Sequence, residues 1–155
     1  MDAEVYPDPA VASFIEKNFL PVRIQVKEQP ATFRRFGVLW TPTLLAMDGE
    51  GHERLHWVGY APADDFLAQL EMGAANAAFG RKQWEEAGRR YRELAERHPA
   101  SEAAPEAWYW EAATHYMGKK DHLPLETLAS RLERRYPNSI WTKKAAPYVP
   151  QEPGG

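Results

Sequence analysis

The feature that most restricts this chain is a repeat in its second half. An offset of 38 residues superposes Ala74-Ala75 on Ala112-Ala113, Gly80 on Gly118, Lys82 on Lys120 and Leu94 on Leu132. At the same offset Arg97, Pro99 and Ser101 meet Arg135, Pro137 and Ser139. Each copy reads as helix, glycine turn, helix and proline stop. A period of that length with that plan means stacked helical hairpins. The spacing of apolar residues predicts helices at about 62–79, 83–98, 103–117 and 123–136, with a last piece near 139–146. The helix over 83–98 has two faces, with Trp84, Ala87, Tyr91, Leu94 and Ala95 on one and Arg and Glu on the other. Pro124 falls in the first turn of its helix, where it is tolerated.

The first half has a different rhythm. Asp8-Pro9 marks a cap and a first helical position, and Val11, Phe14 and Ile15 continue a helix over about 8–18. Leu20, Val22, Ile24 and Val26 then alternate with Pro21, Arg23 and Gln25, which predicts a strand with one buried face. Gln29-Pro30 opens a short helix, and Gly37 closes it. Thr43–Met47 and Glu53–Val58 flank Asp48-Gly49-Glu50-Gly51, which predicts a hairpin. Pro62 opens a helix carrying Phe66, Leu67 and Leu70. Residues 1–7 read as a short polar lead-in, and 147–155, rich in breakers, as a disordered tail.

Composition removes several functions. With no cysteine in 155 residues, the chain cannot by itself form disulfides, thiolate metal sites or a thiol nucleophile. A net charge of −3 gives no reason to expect nucleic acid or an anionic membrane, and no apolar run has the length of a membrane span. The acidic start Met1-Asp2-Ala3-Glu4-Val5 is unlike a signal peptide, so the expected location is the cytoplasm. No phosphate loop and no Ser/His/Asp grouping is present. Asp64-Asp65 suits a helix N-terminus, and Glu85-Glu86 a solvated face. The basic residues from Arg81 to Arg97 alternate with Glu85, Glu86, Glu93 and Glu96, which predicts a solvated face of i,i+4 pairs.

The order helix, strand, short helix ending Phe36-Gly37-Val38, Thr41-Pro42-Thr43 strand, Asp48-Gly49 hairpin, Gly59-Tyr60 and final helix resembles the C-terminal two-thirds of a thioredoxin-like domain over residues 8 to about 72. The resemblance implies a cis proline at Thr41-Pro42 and a peptide-binding backbone just before it. The departure is large, because the opening strand–helix–strand and the Cys-x-x-Cys segment of that family have no counterpart here. Two explanations stay open: a sequence that starts inside the unit, or a short protein whose strands pair directly or through a second copy. Residues 68–145 resemble tetratricopeptide-type repeats of the kind found in bacterial envelope and assembly proteins. Ala87, Tyr91, Leu94 and Pro99 hold the repeat's positions, matched by Leu125, Ala129, Leu132 and Pro137. The period of 38 exceeds the usual 34, and the first helices are rich in alanine where an aromatic is usual.

The resulting expectation is an α/β part of about three strands over 1–72, partly thioredoxin-like, followed by two tetratricopeptide-like helical hairpins over 73–146. Candidate partner-binding residues are Trp40, Thr41 and Pro42 at the proline edge. On the first helix of the second hairpin they are Trp108, Tyr109 and Tyr116, with Trp110 beside them. Consecutive aromatics cannot share one face, so at least one is expected at the surface. His52 with His56, and His115 with Asp121 and His122, lack the convergent third and fourth ligands of a zinc site, so no metal and no cofactor is expected. The function implied is a redox-inactive, non-catalytic adaptor that captures a protein or peptide, with a homodimer through open strand edges as a further possibility. The alternative is a fragment of a thiol–disulfide oxidoreductase whose Cys-x-x-Cys lies before Met1.

Overall fold

The computed structural model describes residues 4–148. Helix α1 spans Pro9–Asn18, α2 Pro30–Arg35, strand β1 Thr43–Met47 and β2 Glu53–Val58. Five helices follow: α3 Ala63–Gly80, α4 Trp84–Arg97, α5 Ala103–Lys119, α6 Leu123–Arg135 and α7 Ile140–Ala145, and a 3-10 turn closes at Ala146–Tyr148.

The Asp8 carboxylate starts α1 by accepting hydrogen bonds from the Ala10 and Val11 amides at 2.9 and 3.2 Å. Such a cap stabilises a helix by about 1 kcal/mol. Gly37 ends α2 with φ +61°, and the Val38 amide reaches back to the Phe33 carbonyl at 3.2 Å, so glycine supplies the left-handed residue that this stop requires. β1 and β2 pair antiparallel, with Thr43 opposite Val58 and Leu45 opposite His56, and the register shifts between Ala46 and Met47. The sheet holds these two strands.

The strand expected at 19–26 does not form, and two strands stand among the described residues where about three were expected. The alternation is present, but Leu20 is 90% and Val22 76% exposed. A strand needs a hydrogen-bonding neighbour and a face to bury, and residues 19–26 join no sheet. The lead-in also differs from its polar reading: Val5 is fully buried against Val11, Ala61, Phe66 and Leu70. At the other end, Pro147 and Tyr148 belong to the 3-10 turn rather than to a frayed tail. The remainder of that expected tail, 149–155, lies outside the described residues.

Two apolar cores share one helix. Phe66 and Leu70 of α3 join Val5, Val11 and Ala61 in the first. Ala68, Met72, Ala75 and Ala78 of the same helix join Tyr91, Leu94, Ala107, Leu128 and Leu132 in the second. Fully burying a large apolar side chain such as Leu94 or Leu132 contributes about 1.5–3 kcal/mol. α3 also packs on the hairpin at Gly73, where an added Cβ would lie 3.1 Å from the Cβ of Ala46. The side chain of Asn76 ties three elements together, donating to the Arg54 carbonyl of β2 at 2.7 Å and accepting from the Tyr91 hydroxyl of α4 at 2.8 Å.

The charged face of α4 is only partly solvated. Arg89 and Arg90 pair with Glu86 and Glu93 along the helix as the spacing predicts. Arg92 instead reaches the buried Glu111 of α5, and Arg97 the buried Glu71 of α3 at 3.1 Å. Burial pushes the Glu71 carboxyl upward, and the Arg97 and His98 charges oppose that shift. His98, itself buried, lies 2.7 Å from Asp64 through Nδ1 and 3.4 Å from Glu71 through Nε2. Asp64, in the first turn of α3, therefore also engages the end of α4. Among the described residues no helix is long and apolar enough to cross a membrane.

Candidate functional site

The aromatic residues of α5 diverge because consecutive positions on a helix point about a quarter-turn apart. Trp108 faces inward and is 6% exposed, with the Arg131 guanidinium 4.6 Å from its ring centroid. Tyr109 and Trp110 are half-buried. None of the three stands fully at the surface, contrary to the sequence expectation, because neighbouring elements supply aromatic walls. Trp110 packs edge-on against Phe79 of α3 at 5.3 Å, and Tyr109 lies 5.1 Å from Trp141 of α7.

Tyr109 and Trp110 line a cleft of about 550 Å³ with Phe79, Tyr116, Met117 and Leu125. The volume falls in the range of small-ligand and side-chain pockets. Tyr148 closes one edge, its hydroxyl 3.1 Å from that of Tyr109. Burial, with the Tyr148 hydroxyl beside it, pushes the Tyr109 phenol up to about 12. Tyr116 sits at the rim between the His122 ring at 4.9 Å and the Lys120 ammonium at 5.0 Å. The cleft is thus lined mainly by aromatic and apolar side chains, with the Tyr109, Tyr116 and Tyr148 phenols, His122 and the Glu126 carboxylate as its polar members. Such a cleft accommodates an apolar or aromatic side chain presented by a peptide.

The structure brings Tyr109 and Tyr116 to one cleft, turns Trp108 away from it, and leaves Trp40, Thr41 and Pro42 outside its lining. The Thr41–Pro42 bond is cis. Trp40 is 70% and the preceding Leu39 95% exposed. The Thr43 hydroxyl donates to the Trp40 carbonyl at 2.6 Å, and the Gly59 amide to the Pro42 carbonyl at 2.8 Å. Phe79 and Tyr148 were not singled out from sequence. Phe79 stands one residue before a repeated glycine, and Tyr148 lies in the stretch read as tail.

The histidine groupings separate. His115 turns to Glu111 of its own helix, at 3.1 Å. The acidic turn brings ligand-type atoms of Asp48, Glu50 and His52 within 4.8 Å of one another. The Asp48 carboxylate is already engaged there. One oxygen accepts from the Glu50 and His52 amides, and the other from Nε and Nη2 of Arg54, all at 2.8–3.0 Å. The His52 amide bond, followed by Arg54 and the Glu50 amide, holds Asp48 well below the usual carboxylate range despite its burial. A cation would have to displace Arg54.

Residues 1–74 match a family model described as a thioredoxin-like domain, which covers the hairpin, the Thr41–Pro42 edge and the first part of α3. No curated protein and no solved structure matches the chain.

Proposed function

We propose that this chain is a non-catalytic protein-interaction unit, in which a redox-inactive thioredoxin-like domain carries two tetratricopeptide-like hairpins that bind a partner peptide. The observation that supports it best is the aromatic cleft of Tyr109 and Tyr116, preformed and lined from α3, α5, α6 and the last turn. The absence of cysteine leaves the chain's own side chains without a thiol for exchange chemistry. The repeat supports the tetratricopeptide-like assignment, since equivalent residues close equivalent helices. Lys82 and Lys120 are both left-handed, and the His98 and Tyr136 amides bond back to Leu94 and Leu132.

The test is selection from a random peptide library. Selected peptides should share an apolar or aromatic anchor and lose about tenfold in affinity on Tyr109→Ala or Tyr116→Ala, or about 1.4 kcal/mol. Peptides that bind equally well to both variants would refute the reading. The thioredoxin-like match favours a second reading, in which the chain works within a thiol–disulfide oxidoreductase and the thiols lie outside it. An in-frame Cys-x-x-Cys encoded upstream of Met1 would favour that reading over the first.

A further inference from the structure

A second cleft, of about 770 Å³, lies where β2, α3 and the turns after α4 and α6 meet. It is separate in composition from the aromatic cleft: no residue lines both. Three observations describe what it would bind. Gln69 of α3 is 7% exposed and lines the cleft. Its amide makes no hydrogen bond among the described residues, yet it is not sealed away from solvent as the Trp57 indole nitrogen is. A buried amide with both a donor and an acceptor to spare points to a polar ligand group.

Among the residues that line the cleft, the charges without an ion pair are negative. Glu102 and Glu106 at the start of α5 form no ion pair among the described residues, whereas Arg54 is neutralised by Asp48 at 2.8 Å. Glu106 is half-buried, and its one hydrogen bond comes from the Trp110 indole at 3.2 Å. Burial raises its carboxyl against the opposing pull of Trp110 and Lys144. Lys144 does not close on it; its ammonium sits 3.9 Å from the centroid of the Trp141 ring instead. A half-buried carboxylate in this condition gains from a cation brought against it.

We propose that this cleft binds a peptide through a lysine or arginine side chain, with Glu106 receiving the cation and the Gln69 amide bonding the peptide backbone. Trp141 and Tyr136 line the wall and offer ring surface to the apolar stem of such a side chain. Each already holds one of the chain's own cations, Lys144 at 3.9 Å and Arg135 at 6.0 Å, so the seat of the incoming charge is Glu106 and not a ring face. The site stands independently of the aromatic cleft, and either can fail without the other.

The probes are N-acetylated, C-amidated tripeptides Gly-Arg-Gly, Gly-Lys-Gly, Gly-norleucine-Gly and Gly-Glu-Gly, titrated into the full chain and followed by amide NMR. The cationic peptides should move the Gln69 side-chain amide and the backbone amides of 100–104 and 106. The norleucine and glutamate peptides should leave them in place. Glu106→Gln keeps the acceptor for Trp110 while removing the charge. It should weaken the cationic peptides about tenfold and flatten their salt dependence, whereas Tyr116→Ala should leave them unchanged. The proposal is overturned by no shift up to the solubility limit of the peptides, by equal shifts from norleucine, or by undiminished binding to Glu106→Gln.

Discussion

Lys82 and Lys120, 38 residues apart, adopt the same left-handed backbone, φ 59° and 55°, and are the two non-glycine residues with positive φ among those described. Each ends the first helix of its hairpin. The Lys82 amide bonds to the Phe79 carbonyl and the Gln83 amide to that of Ala78, the pattern of a Schellman stop, while the Lys120 amide bonds back to Tyr116. The residue that turns the chain is therefore the lysine and not the repeated glycine before it. Gly118 serves packing instead, since a Cβ there would approach the Cβ of Trp84 to 3.0 Å.

A non-glycine residue in this region carries a backbone cost of roughly 1–2 kcal/mol, part of which glycine gives back through its freer unfolded chain. Lys82→Gly should raise stability by about 0.5–1 kcal/mol, read as a shift of the urea midpoint at constant slope. Lys120→Gly should gain less. It loses the ammonium over Tyr116, a contact of about 0.5–1 kcal/mol at an exposed site. Equal gains at the two positions would mean that the contact adds nothing.

α4 packs tightly on α5 at Gly88. A Cβ there would lie 2.7 Å from the Thr114 hydroxyl, which is buried and donates to the Glu111 carbonyl. Gly88→Ala should cost about 1–3 kcal/mol by overpacking. Adding Thr114→Ala should recover most of that cost, which a double-mutant cycle on chemical denaturation would measure. Additive losses would place the strain elsewhere.

Asn76→Ala should leave the buried Tyr91 hydroxyl and the Arg54 carbonyl without their partner, at a cost of about 1–3 kcal/mol. Tyr91→Phe removes a single bond and should cost less, about 0.5–1.5 kcal/mol. In the double variant the two losses should not add, because they share a hydrogen bond. Hydrogen exchange should show the extra opening of Asn76→Ala in β2 as well as in α4.

Asp48 sets part of the acid limit. Its folded carboxyl lies below its ordinary 3.8, so the folded state binds the proton less readily than the unfolded chain. Its stabilising contribution is complete above that ordinary value and is lost as pH falls through the lower folded one. Asp48→Asn should lower stability at neutral pH and flatten its decline below about pH 4, as read by thermal unfolding across an acid series. An unchanged acid slope would show that other carboxylates govern it.

Local signals were legible wherever one residue decides the outcome. Asp8-Pro9, Gly37 and the Asp48–Gly51 turn placed α1, the end of α2 and the hairpin. The alternation at Leu20 to Val26 misled because a strand is a property of pairs, and its neighbour cannot be read from its own residues. The aromatic cleft was half legible. Tyr109 and Tyr116 stand out by type, but the burial of Trp108 depends on where α6 brings Arg131. The Glu106 carboxylate without an ion pair and the unpartnered amide of Gln69 arise from tertiary placement, and periodicity carries no trace of either.

The sharing of α3 between two cores has a consequence for how the molecule can be taken apart. Phe66 and Leu70 point into one core, and Met72 and Ala75 of the same unbroken helix into the other. A recombinant splice at 72/73 would cut through mid-helix and leave each fragment with half of a shared beam. Proteolysis or force should therefore release the hairpin and the helical stack as one cooperative block, and a transplant of either would have to carry the whole of α3 with it.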